Sequence, residues 1–316
     1  MNPADIVQLL ILAALWGGSF LFIRIGVTDF GVAPLVAVRV GIGASFLLAV
    51  LFARRPARDV LATLRSHARP LLVVGILNSA APFCLFSWAE YTLSAGVTSV
   101  LNATTPLWGA LVAYLWLKDR LGGLRVAGLA IGFVGVTALV WDQVAAPAAG
   151  GAASSTTTAL AAGAGLVAAL LYGVAANYTK RHLTGVDPLT VAAGTMTGAS
   201  LVLLPFAVFA WPASSITGQS WAAVIALGVG CTGIAYLMYF RLIASIGPAR
   251  TITVTFVIPV FGILWGALFL GERVSAGMVE SCLVILAGTV LATGFVARVP
   301  GLRIGRSAAG RADAKR

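Results

Sequence analysis

Two prolines lie deep inside apolar stretches, each within a cluster of polar side chains. Pro106 follows Asn102, Thr104 and Thr105, and Pro259 follows Thr251, Thr253 and Thr255. Proline has no N–H, and its ring clashes with the carbonyl four residues back in a helix. The carbonyls set free are those of Asn102 and Thr255. In an apolar medium such groups need a partner from protein, water or a bound molecule. The chemistry on offer is hydrogen bonding to a small polar ligand, since no nucleophile and base can be assembled around them. The competing reading is a packing kink whose hydroxyls bond their own helix.

Further groups of the same kind are scattered through the apolar stretches. Trp16, Tyr172 and Asn177 carry a polar tip or an amide, and so do Tyr236 and Tyr239. Asn78 precedes Pro82 by four residues, so its carbonyl is also predicted free. We expect Trp16, Asn78, Asn102, Tyr172, Asn177, Tyr236, Tyr239 and Thr255 to line a binding cavity, with Pro106 and Pro259 as helix breaks. For Tyr239 and Trp88 the alternative is an anchor at the membrane interface. Charge is rare in these stretches. Arg39 and Glu280 are candidates for a gate, a coupling site or a mutual ion pair, and snorkelling to headgroups is the competing reading. Glu90 and Asp142 are the other acids that could titrate. Asp119 and Glu272 follow long apolar runs and are expected to end a helix and hold its turn. His67, His182 and the three cysteines show no metal or redox spacing, so no metal site is expected. Gly17-Gly18 precedes no strand and reads as close helix packing.

The elements that must carry these residues follow from composition. The chain has 316 residues, 59% hydrophobic and only 10% charged, against about 25% charged in soluble domains. Ten segments are apolar enough to span a bilayer: roughly 6–25, 33–53, 70–90, 95–117, 124–141, 159–179, 188–210, 221–243, 249–270 and 277–297. No cleavable leader is expected at the first of them. An Ala-, Gly-, Ser- and Thr-rich stretch at 142–158 reads as a linker between halves 1–141 and 159–297, and 298–316 as a basic tail. Eighteen Lys and Arg fall in the alternate loops and the tail, against two in the opposite loops, Arg24 and Arg273. That bias predicts both termini in the cytoplasm. The net charge of +11 follows the loops, without interleaved aromatics, so a nucleic-acid partner is not expected.

The halves resemble each other. The run from Asn102 through Pro106 to Lys118-Asp119-Arg120 answers that from Thr255 through Pro259 to Gly271-Glu272-Arg273. Trp16-Gly17 answers Tyr172-Gly173, Arg24 answers Lys180, Pro34 answers Pro188, and Gly135 answers Gly288. Five helices is an odd number, so the second half would enter the membrane inverted. The expected fold is therefore an all-α polytopic membrane protein with ten transmembrane helices in two inverted five-helix repeats.

These residues resemble the EamA-type transporters of the drug/metabolite transporter superfamily. The resemblance rests on Leu15-Trp16-Gly17-Gly18-Ser19-Phe20, on Arg39, and on the block from Ala89-Glu90-Tyr91 through Asn102-Ala103-Thr104-Thr105-Pro106 to Lys118-Asp119-Arg120, with its second copy ending Gly271-Glu272-Arg273. The first copy has Lys118 where the family has Gly, so its turn is expected to differ. The resemblance implies a carrier in a bacterial inner membrane, often an exporter, of small metabolites such as amino acids. It implies no cofactor and no enzymatic activity. Expected partners are a small-molecule substrate and the lipid bilayer, with a homodimer left open. A proton-coupled antiporter for drugs or toxic cations is the alternative, a membrane enzyme acting on lipids the competitor from another class.

Overall fold

The computed structural model describes residues 2–119, 121–145 and 154–294. Arg120, most of the linker and the basic tail lie outside the described residues. Helix α1 (Pro3–Phe30) is followed by α2 (Val32–Arg54), a short α3 (Ala57–Ser66) and α4 (Ala68–Gly75). A π-helical stretch, Ile76–Ala80, joins α4 to α5 (Ala81–Ala89). Then come α6 (Ala95–Asn102), α7 (Thr105–Leu117) and α8 (Gly123–Ala145). The second half has α9 (Ser155–His182), α10 (Pro188–Phe209) and α11 (Gly218–Ile225), with a π-helical stretch, Ala226–Ile234, leading into α12 (Ala235–Ile246). It closes with α13 (Pro248–Thr251), α14 (Val254–Leu270) and α15 (Ala276–Ala292). Among the described residues there is no strand.

Among the described residues eight continuous or nearly continuous helices are long and apolar enough to cross a membrane, and Val254–Leu270 and Ala276–Ala292 are shorter apolar helices. The ninth expected segment is shortened because Ile252 and Thr253 separate α13 from α14. Large apolar side chains cover the outside, such as Phe209 at 91% exposed and Leu115 and Phe269 at 67%. In water that surface would be unstable, whereas against lipid it carries no penalty.

Local chemistry explains the helix starts. Asn2 and Asp5 form a reciprocal capping box at α1. Ser94, Asp187, Thr217 and Ser275 each accept a backbone N–H from the first turn of the helix they precede.

The main helix contacts join the two halves. α8 packs on α15, α2 on α10, α1 on α14, and α9 on both α5 and α7. Two glycines allow close approaches in equivalent contacts, α1 on α14 and α9 on α7. A Cβ on Gly17 would lie 2.8 Å from the Ile258 carbonyl oxygen, and one on Gly173 would lie 2.7 Å from the Gly109 nitrogen. Gly17-Gly18 is thus a packing feature at Gly17, as expected. Gly173, its counterpart in the second half, does the same work on α7.

Candidate functional site

A cavity of about 610 Å³ lies between the halves, within the range of about 300–1,000 Å³ typical of small-molecule sites. Trp16, Asn78, Asn102, Tyr172, Tyr236, Tyr239 and Thr255 all line it. Asn177 does not. Its amide donates to the Gly109 carbonyl at 3.0 Å and the Gly173 carbonyl at 2.9 Å, fastening α9 to α7. The expectation for Asn177 is corrected: Gly173 brings α7 so close that the amide's nearest acceptors are backbone. Tyr239 faces the cavity rather than the interface, while Trp88 is 42% exposed.

The aromatic lining forms two groups of ring contacts. Trp16 stands edge-on to Tyr236, with centroids 6.5 Å apart, and tilts against Tyr239 at 5.3 Å. Phe86 meets Tyr172 at 6.0 Å and Phe20 at 5.9 Å. Asn78 lies in the first π-helical stretch, and Tyr236 is the second residue of α12, just past the other. The Asn78 amide donates to the Tyr236 hydroxyl at 3.3 Å, so the two halves meet through these stretches. A π turn offsets the backbone ladder by one residue, which rotates side chains that a regular helix would bury elsewhere.

The two prolines behave differently. Pro106 occupies the first turn of α7, where a missing N–H costs nothing, and the chain breaks before it at Ala103 and Thr104. Pro259 lies inside α14, which continues through it. The break in that region comes earlier, at Ile252 and Thr253, where the Thr255 and Phe256 N–H groups turn back to carbonyls three residues away. Pro259 is therefore not a helix break; neighbouring helices tolerate it within a continuous helix. The threonine hydroxyls follow the self-bonding reading: Thr104 bonds the Leu101 carbonyl, Thr251 that of Gly247, Thr253 that of Arg250 and Thr255 that of Ile252. Thr105 is the exception, a cavity-lining hydroxyl with no bonding partner among the described residues.

Arg39 and Glu280 do not pair. Glu280 is exposed on α15, which packs on α8, whereas α2 packs on α10. The two lie on different helix pairs of the bundle. Arg39 is 5% exposed and lines the cavity. Its guanidinium carbon sits 3.8 Å from the centroid of the Phe83 ring, and its Nε lies 3.4 Å from the Thr232 hydroxyl. The ring contact is worth about 2 kcal/mol when desolvated, less than the several kcal/mol that burying an unpaired charge costs. Sequence reasoning missed Thr232 and Phe83. Thr232 is reached because a Cβ on Gly43 would sit 2.6 Å from its methyl carbon, so α2 passes close.

The acids at the helix ends reach further than their own turns. Glu272 accepts from the Ala95 N–H at 2.7 Å and from the Gly96 N–H at 3.1 Å, capping α6. Asp119 instead lies 3.9 Å from Lys180. The turn at Lys118 does not differ as expected: Lys118 has φ 56° and Gly271 φ 65°, both left-handed. Glu90 is fully buried, and neither of its carboxylate oxygens has a hydrogen-bond partner among the described residues.

The EamA-like transporter family model matches residues 5–141 and again 159–294. The chain belongs to the EamA-like transporter family. Among similar proteins is the "Uncharacterized transporter YoaV" of Bacillus subtilis, 21% identical over 88% of this chain and 93% of that one. A "Probable terminal-alkyne amino-acid exporter" of Streptantibioticus cattleyicolor is 26% identical over 81% of this chain and 82% of its own. A "Probable amino-acid metabolite efflux pump" of Escherichia coli is 24% identical over 96% of this chain and 97% of its own. A solved crystal structure shares the fold at a TM-score of 0.64 and 22% identity, covering 94% of this chain and 99% of that one. This EamA protein is accordingly a membrane transporter.

Proposed function

We propose that the chain exports small amino-acid-like metabolites across the cytoplasmic membrane of a bacterium by alternating access. One observation carries the reading: the cavity is lined by both halves and reaches exposed residues where α9 meets α10. It runs from Phe20, Phe86 and Ile258 to the exposed Lys180, Thr184 and Pro188 where α9 meets α10. At the opposite end the halves are tied together. Asp29 accepts from the Thr217 backbone N–H at 3.1 Å, from the Thr217 hydroxyl at 2.6 Å and from the Ser220 hydroxyl at 2.8 Å, and Glu272 caps α6. With the basic loops placed in the cytoplasm, the accessible end is the cytoplasmic one.

Pairing across the halves supports ten spanning helices in inverted repeats. α1 on α14 and α9 on α7 are equivalent contacts under the register that aligns Pro106 with Pro259, and Gly17 and Gly173 occupy equivalent places in them. Such a scaffold can open to either side by rocking one half against the other. The names of the relatives support amino-acid-like cargo and outward transport. The test is amino-acid release from cells with and without the chain, followed by counterflow of labelled leucine, phenylalanine and threonine in proteoliposomes. Accumulation outside the expressing cells and counterflow above empty vesicles are expected. Equal release with no counterflow would overturn the reading.

A further inference from the structure

We infer that Arg39 forms an anion subsite which receives the substrate's carboxylate, so that cargo is selected for a negative group and small amines and cations are refused. The inference rests on the reading of this cavity as the translocation site. Among the described residues no acidic side chain lines the cavity, and its formally charged lining groups are Arg39 and Lys180. Lys180 is exposed and faces Asp119 at 3.9 Å, so its charge is screened. Arg39 is buried, and among the described residues no carboxylate lies within ion-pair distance of it. The acid within longer electrostatic reach is Glu90.

A guanidinium presents five N–H donors in a planar fork and stays charged in proteins. Here the Nε end is directed at Thr232 and one face lies on Phe83. The described residues supply no acceptor to the two terminal nitrogens, which suit the bidentate geometry of a carboxylate. Around it the lining is what an apolar body with few polar groups requires. Trp16, Phe86 and Phe240 supply surface, and Asn78 and Tyr236 supply hydrogen bonds. A cation in this cavity would meet unbalanced positive charge at low dielectric, while a carboxylate would remove the cost of burying Arg39.

The test uses the full chain purified in detergent, read by thermal unfolding against two probe series. One series, 3-phenylpropanoate and 4-methylpentanoate, carries a carboxylate and no amine; the other, phenethylamine and isoamylamine, carries an amine and no carboxylate. The carboxylates should raise Tm with concentration and the amines should not. Arg39→Gln should weaken the apparent Kd of the carboxylates at least about ten-fold. Amines that stabilise as well as carboxylates, a wild type that answers neither series, or a folded Arg39→Gln that responds like wild type would each overturn the subsite. If Arg39→Gln does not fold, Arg39→Lys decides, because it keeps the charge and loses the fork. A loss of about five-fold or more supports the subsite, and unchanged affinity overturns it. Failure of the export assay overturns the transport reading but leaves carboxylate stabilisation to stand or fall by these variants.

Discussion

The Glu272 carboxylate and the Ala95 backbone are separated by 177 positions and meet at 2.7 Å. The second oxygen of Glu272 takes the Gly96 N–H at 3.1 Å, so one side chain satisfies two donors that the start of α6 leaves open. The helix dipole adds to this attraction. Gly266 leaves the room: a Cβ there would collide with the carboxylate. In the first half the corresponding acid, Asp119, makes a long exposed contact with Lys180 instead. The two acids thus stand at equivalent helix ends and make unlike contacts.

Removing that cap should weaken the join between α6 and the end of α14. Glu272→Ala is expected to lower stability by about 1–2 kcal/mol, seen as a fall in Tm. Gly266→Ala should reproduce much of it by displacing the carboxylate. A Glu272→Ala protein as stable as wild type would show that the cap is not a latch.

The paired glycines should respond alike. Gly17→Ala and Gly173→Ala each place a methyl within 2.9 Å of backbone atoms on the partner helix. Each is expected to cost about 1–3 kcal/mol, whereas Gly163→Ala, with open space around it, should be near neutral. Thermal unfolding of the three variants separates them, and equal stability of all three would contradict the packing.

Cysteines at Asn102 and Thr255 should face one shared cavity, since both residues line it. In inverted vesicles a water-soluble thiol reagent is expected to modify both, and transported substrate to slow the reaction. Inertness at both positions in folded protein would remove them from the pathway.

Lys118 holds a left-handed conformation at φ 56° that its counterpart Gly271 adopts without strain. Lys118→Gly should relieve about 1 kcal/mol of that strain, read as a higher Tm. Lys118→Val should lose stability. A lower Tm for Lys118→Gly would mean that Lys118 makes contacts worth more than its strain.

Much of the site was legible in the chain itself. A tryptophan, tyrosine or asparagine inside an otherwise apolar stretch has few favourable places to go, so Trp16, Asn78, Asn102, Tyr172, Tyr236 and Tyr239, with Thr255 beside Pro259, pointed to a common cavity, which they line. The doubled proline block and the shortage of charge likewise identified repeated membrane-buried halves. What composition and spacing did not determine was rotation and reach. Most of these stretches are apolar around their whole circumference, so periodicity does not say which face meets which neighbour. Only the packed helices decided that Asn177 spends its amide on the Gly109 and Gly173 carbonyls, that Arg39 enters the cavity instead of meeting Glu280, and that α14 runs on through Pro259. Glu272 shows the reason most plainly. Its partners on α6 are remote in the chain, and the match between a carboxylate and two open N–H groups exists only once both halves are in place.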